Sequence, residues 1–193
     1  MSSNVPPTEF TDLLASARWS AVHLETRDSY AVDYERGPFA EWRAGFRYDP
    51  ADRASWWRPW LDLVRDTVAR GVIVRRARIV SEPVSEYTRF LYDNTFTNVA
   101  VGEQVRWLPR RRTGTIALPG NDFWLFDGRV VRWNHFTGSG MSAGGEVTED
   151  PAAARLCEES FERAWAKAVP HDQYEIHSAR GQENDQGLSY LHT

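Results

Sequence analysis

The stretch from Asp122 to His135 limits the possible folds more than any other part of the chain. Two β-prone runs, Asp122-Phe-Trp-Leu-Phe126 and Arg129-Val-Val-Arg-Trp-Asn-His135, are joined by Asp127-Gly128. Asp-Gly tolerates the positive φ angles of a type I′ turn, so the segment predicts a β-hairpin. Before it, Trp57, Trp60, Leu61, Val64 and Val68 share one helix face, with Pro59 in the first turn and Arg70-Gly71 closing the run. The β-branched segment Val72 to Val80 follows directly and reads as a strand covered on both faces. Ser81 and Pro83 then open a helix carrying Val84, Tyr87, Phe90 and Leu91, and Gln104 to Pro109 reads as a further strand. After a glycine-rich loop, Asp150-Pro151 starts a helix whose face is Leu156, Cys157, Phe161, Ala164, Trp165 and Ala168. This alternation predicts an α/β (α+β) domain with helices packed on a mixed sheet, its strands at 72–80, 104–108, 122–126 and 129–135.

The first fifty residues predict a smaller α+β subdomain. Phe10, Leu13, Leu14 and Ala17 mark a short amphipathic helix. Ser20 to Thr26 and Tyr30 to Tyr34 read as two short strands around a turn at Asp28-Ser29, Gly37-Pro38 breaks the chain, and Phe39 to Gly45 forms a helical turn. The expected organisation is a subdomain over 1–50, a main α/β domain over 51–177 and a flexible polar tail over 178–193.

At 193 residues, with 41% apolar and 26% charged residues, the chain has the composition of a folded domain with one core. Twenty-three basic groups against 27 acidic ones give a net charge of -4, which argues against direct nucleic-acid binding through bulk charge. The single cysteine, Cys157, forms no internal disulfide and fits no zinc-binding spacing. No basic leader and no run of eighteen apolar residues occur, so the expectation is a cytoplasmic protein without a membrane partner and without a cofactor.

Four features could carry chemistry. Gly140-Met-Ser142-Ala-Gly144 has the G-x-S-x-G form of a hydrolase nucleophile elbow, with Asp150 or Asp172 and His171 or His177 later in acid-then-base order. The elbow needs a strand leading in and a helix beginning at once, whereas Thr137-Gly-Ser-Gly precedes it and Gly145-Glu-Val-Thr follows. The loop reading is therefore favoured. His135, beside Asn134 at a strand end, could act as a base, against the commoner case of a histidine simply hydrogen-bonded there. Lys167 is the only lysine among the 23 basic residues. Arg75, Arg76, Arg78, Arg106 and Arg110 to Arg112 could converge on an anion; in the alternative, Arg110 to Arg112 form a solvated turn and the strand arginines pair with Glu82, Glu86 or Glu103. Among nine tryptophans, Trp107, Trp124 and Trp133 lie on strands and are better pocket candidates than Trp56, Trp57 and Trp60.

Val80-Ser-Glu-Pro-Val-Ser-Glu-Tyr, Gly102-Glu-Gln-Val-Arg-Trp-Leu-Pro-Arg-Arg, Asn121-Asp-Phe-Trp-Leu-Phe-Asp and Trp133-Asn-His-Phe resemble an actinobacterial family of uncharacterised proteins often encoded beside helix-turn-helix regulators. The resemblance runs from about Thr8 to Tyr174. It implies a bacterial cytoplasmic protein connected to transcriptional control, with no activity to transfer. The order of elements from Ser55 to Val169 is also similar to the phospholipase-D-like fold. That family's histidine is followed two residues later by lysine. Here His23, His135, His171 and His177 are followed by glutamate, threonine, glutamine and alanine, and His192 by nothing. The likeness thus implies a catalytically silent, ligand-sensing module.

The expected function is a non-catalytic regulatory or ligand-sensing protein, partnered with a helix-turn-helix regulator and with a small anionic ligand. The alternative is a hydrolase using Ser142 or His135, as a serine esterase or a phosphoester hydrolase. The ligand is expected where Arg76, Arg78 and Arg106 approach Asn121, Asp122, Trp124, Asn134 and His135, provided that register sets them on one side.

Overall fold

In the computed structural model, residues 8–176 are described. The Asp-Gly signal marks the hairpin of β4 (Asp122–Phe126) and β5 (Val130–Phe136), with Asp127 at φ 52° and Gly128 at φ 65°, as a type I′ turn needs. The turn also serves a neighbouring strand. The Asp127 carboxylate accepts the backbone N–H groups of Arg18 (2.9 Å), Trp19 (2.7 Å) and Ser20 (3.0 Å), tying the hairpin to the entrance of β1 (Ser20–Glu25).

Seven strands form one mixed sheet. Besides β1, β4 and β5 it contains β2 (Ile73–Val80), β3 (Gln104–Pro109), β6 (Ser142–Thr148) and the two-residue β7 (Val169–Pro170), in the order β6-β5-β4-β1-β2-β3-β7. Strands β1, β2 and β3 run parallel, and every other pairing is antiparallel.

One face is covered by α7 (Pro151–Lys167). Asp150 caps it by accepting the Ala152 N–H at 2.9 Å, and Pro151 starts it with a φ already suited to a helix. Ala154, Cys157, Phe161, Ala164 and Trp165 form its buried stripe against Val22, Leu24, Ala77, Ile79, Phe123 and Leu125. Each large side chain buried this way contributes about 1.5–3 kcal/mol. The opposite face carries α1 (Thr8–Ser16), the four-residue α3 (Arg53–Trp56) and α4 (Pro59–Ala69), whose Leu14, Trp56, Leu61 and Val64 pack with Val74, Trp124 and Phe126. Further along that face lie α5 (Glu86–Asn94) and α6 (Phe96–Val99).

Three expectations are corrected. The expected second strand at 30–34 does not form: residues 30–32 are irregular and Asp33 opens α2 (Asp33–Arg43), which also runs through the expected break at Gly37-Pro38. Propensity is overridden by packing: Phe39 lies 5.3 Å from Phe90 between ring centroids, Trp42 lies 6.1 Å from Phe90, and the Trp42 indole donates to Asp93 at 2.8 Å. The glycine-rich loop is instead the edge strand β6, paired along β5. Its Gly145 is required, since a Cβ there would lie 2.7 Å from the Arg132 guanidinium carbon and 2.8 Å from the Trp133 carbonyl oxygen. The helix expected to open at Ser81 starts at Glu86, where Ser85 Oγ accepts the Thr88 N–H at 3.0 Å. The expected 1–50 subdomain contributes β1, the middle strand of the sheet, between β2 and β4. The expected tail over 178–193 lies outside the described residues.

Candidate functional site

Strand alternation decides which side chains meet. On β1, Val22 and Leu24 face α7, so His23 and Glu25 point to the other side; on β2, Ala77 and Ile79 face α7, so Arg76 and Arg78 join them. Parallel pairing places His23 opposite Arg76 and Glu25 opposite Arg78. From the hairpin, Trp124 lies opposite His23, and Asp122 opposite Asn134.

The charges are tied into one network. Arg76 donates through Nε to Glu103 at 2.7 Å and through Nη1 to Glu25. Arg78 Nε lies 2.7 Å from the second Glu25 oxygen, and its Nη1 donates to Thr95 at 3.3 Å. Glu103 also accepts from Asn98 Nδ2 at 2.6 Å, and Arg58, preceding α4, donates to Thr97 at 3.2 Å. His23 lies flat on Trp124. Asn134 is 3.4 Å from His23 Nε2, which leaves Nδ1 facing Glu25 at 3.4 Å without a hydrogen bond. At the end of the face, Asp122 accepts from the Thr26 N–H (2.9 Å), the Thr26 hydroxyl (2.5 Å) and the Tyr30 hydroxyl.

Burial and these neighbours set the protonation states. Burial alone would raise the Glu25 carboxyl, but Arg78 and Arg76 outweigh it and hold the group at about 2. His23 is pushed well below the ordinary histidine value, first by burial and then by Arg76, so it is neutral at pH 7. Burial raises Asp122 against its hydrogen bonds from Thr26 and Tyr30. Burial also raises Glu35, on α2, whose carboxylate accepts the Tyr87 hydroxyl.

Of the eight expected ligand-binding residues, Arg76, Arg78, Asp122, Trp124 and Asn134 share this face. Three do not. Arg106 emerges on the α7 side, where Nη1 donates to the Trp165 carbonyl at 3.1 Å and the guanidinium lies 4.3 Å from the Trp165 ring centroid. It satisfies a last-turn carbonyl of that helix. His135 also points away, one position out of phase with Asn134, and sits 3.7 Å from Glu146. Asn121 lies before β4 and is exposed. Ser142 is exposed on β6, paired across from Phe136, with no strand-to-helix turn behind it. The sequence reading named Glu103 as a partner but missed Glu25, Glu35, Arg58, Tyr87 and Thr95. The signal for Glu25 was present: His23 and Glu25 alternate with Val22 and Leu24 along one strand, so the two polar side chains must share a face.

Among the described residues, no cluster of three or more His, Cys, Asp or Glu side chains is placed to hold a metal ion. No described helix is long and apolar enough to cross a membrane.

Fold and site thus define an α/β domain whose single mixed sheet carries a buried arginine–glutamate network on one face. The chain belongs to the family described as "Domain of unknown function (DUF6879)", which it matches over residues 8–176. No curated protein matches it. Among solved structures, it is similar to TrmBL2, an archaeal chromatin protein, with a TM-score of 0.46 at 12% identity over 83% of this chain and 49% of that one. The chain therefore spans about half the length of that protein. It is also similar to Nuc, a phospholipase D family member from Salmonella typhimurium, with a TM-score of 0.45 at 12% identity over 83% of this chain and 86% of that one.

Proposed function

We propose that this chain is a non-catalytic ligand-sensing protein that works with a DNA-binding, helix-turn-helix transcriptional regulator in an actinobacterial cytoplasm. The observation that carries the reading is the state of Glu25, Arg76 and Glu103. Glu25, Arg76, Arg78 and Glu103 are each engaged by an opposite charge, and His23, neutral, faces a carboxylate already claimed by two arginines. A general base needs a proton to take and a titration near the working pH; Glu25, held at about 2, offers neither. Such a face recognises and does not turn over. A net charge of -4 leaves DNA contact to the partner.

Two measurements test this. Ester and phosphodiester screens are expected to give no turnover that Ser142→Ala or His135→Ala removes; turnover lost in either variant would establish the hydrolase instead. Co-purification from the native host is expected to retain a DNA-binding regulator. Specific binding of operator-length DNA by the isolated chain at moderate salt would overturn the indirect role.

A further inference from the structure

We propose that the segment from Val169 to Tyr174 is a strap that lies closed over Trp107 at neutral pH and swings open when His171 takes up a proton. It does not depend on the ligand-sensing reading.

The contact at its centre joins two rings. Trp107, on β3, is fully buried, and among the described residues its indole N–H has one acceptor, Nδ1 of His171 at 3.1 Å. A neutral imidazole accepts through one ring nitrogen and carries its hydrogen on the other, so this contact places the hydrogen on Nε2. An imidazolium carries hydrogen on both. Protonation therefore turns the acceptor into a second donor and sets two N–H groups against each other. The indole has no route to water while the strap is closed. Around it lie the Tyr174 ring, 5.6 Å away and 11° from parallel, the Tyr92 ring at 5.6 Å, and the Arg78 guanidinium 5.2 Å from its centroid. The conflict is relieved by His171 moving out.

The surroundings of the ring favour its neutral form. Burial and then Arg78, reaching from β2, hold His171 below the ordinary histidine value, against the opposite pull of Asp172 beside it. From α5 the neighbour is Tyr92, with its ring 4.8 Å from the imidazole and its hydroxyl donating to the Tyr174 carbonyl at 2.8 Å. The Tyr174 hydroxyl donates to Glu82 at 3.0 Å, and Arg111 lies 3.4 Å from the other Glu82 oxygen, so that carboxylate is already matched.

The strap is built to leave as a unit. Strand β7 is two residues long and meets β3 only at Arg106–Pro170 and Trp107–Val169, and Pro170 has no N–H to give. A single turn of 3-10 helix, His171–Gln173, follows. Beyond these the strap is held by the His171 contact, the Tyr174 stack and two tyrosine hydroxyls. Opening bares Trp107 and Tyr92 and leaves β3 as the edge of the sheet, so acid uncovers an aromatic surface beside an unpaired strand.

Hydrogen exchange on the full chain, corrected for the pH dependence of the intrinsic rate, tests the strap. A group held below its unfolded value of about 6.5 stabilises the closed form fully above that pH and progressively less below it. Between pH 7.5 and 5.5, protection of the Trp107 indole N–H and of the amides from Val169 to Tyr174 is expected to fall several-fold, at most about tenfold, relative to Leu125 and Val131 in the hairpin. His171→Gln, whose side chain does not titrate, is expected to lose this pH dependence. His171→Leu, which offers no acceptor, is expected to be as poorly protected at pH 7.5 as the unaltered protein at pH 5.5. By NMR, the His171 ring and the Trp107 indole N–H are expected to titrate with one midpoint. The same pH dependence in His171→Gln as in the unaltered protein, or a His171 titration that leaves the Trp107 indole unmoved, would overturn the proposal.

Discussion

His23 lies flat against Trp124, with ring centroids 4.3 Å apart and planes 18° from parallel, across the β1–β4 pairing. The stack shields one side of the imidazole, Arg76 and Arg78 repel a second proton, and only Glu25 favours it. A histidine whose folded pKa lies below its unfolded value binds fewer protons when folded. Stability is then complete above about pH 6.5 and falls as pH drops through that value. Comparing denaturant midpoints at pH 7.5 and 5.5, we expect His23→Gln to flatten the acid side by up to about 1.4 kcal/mol per pH unit. An unchanged slope would assign the acid loss to other groups, His171 first, since burial lowers it as well.

Glu103 is buried, and its carboxylate is shared by Arg76 and Asn98. Removing one partner from a buried ion pair strands the other, so Glu103→Gln is expected to cost about 3 kcal/mol in equilibrium unfolding. Combining it with Arg76→Met is expected to cost clearly less than the sum of the two single changes. Simple additivity would mean that the two side chains do not act as a pair.

Gly145 sits where Arg132 folds across the β5–β6 pairing. Gly145→Ala pushes a methyl against the Trp133 carbonyl, which cannot move without breaking the ladder. The expected loss is about 1–3 kcal/mol, seen as a lower Tm. Gly138→Ala, where nothing lies within 4 Å of the added carbon, is the control.

Cys157 is fully buried under the sheet, and burial pushes its thiol up to about 12. Its reaction with an aromatic disulfide reagent at pH 8 is expected to proceed only as fast as the protein unfolds, and to accelerate in parallel with the Glu103→Gln destabilisation. Rapid labelling of the native protein would mean that α7 detaches locally.

The asymmetry between what the sequence disclosed and what it hid follows from the range of the interactions. The β4–β5 hairpin depends on two adjacent residues, Asp127 and Gly128, and α7 on Asp150, Pro151 and its own stripe, so both were legible. Helix α2 depends on Phe90 and Asp93, about fifty residues later, and no local pattern overrides Gly37-Pro38. At the candidate site the inward arginines of β2 could be read as a set, but their face could not. Arg106 has the same composition signal as Arg76 and differs only in the phase of its strand.

The place of β1 in the middle of the sheet has a consequence for biosynthesis. This strand leaves the ribosome well before either neighbour, since β2 begins at Ile73 and β4 at Asp122. His23 and Glu25 therefore wait for charges and rings synthesised tens of residues later, while Val22 and Leu24 stay uncovered until α7 emerges. A nascent chain of this design folds late and all together, and its growing half is a natural client for chaperones that hold extended apolar segments.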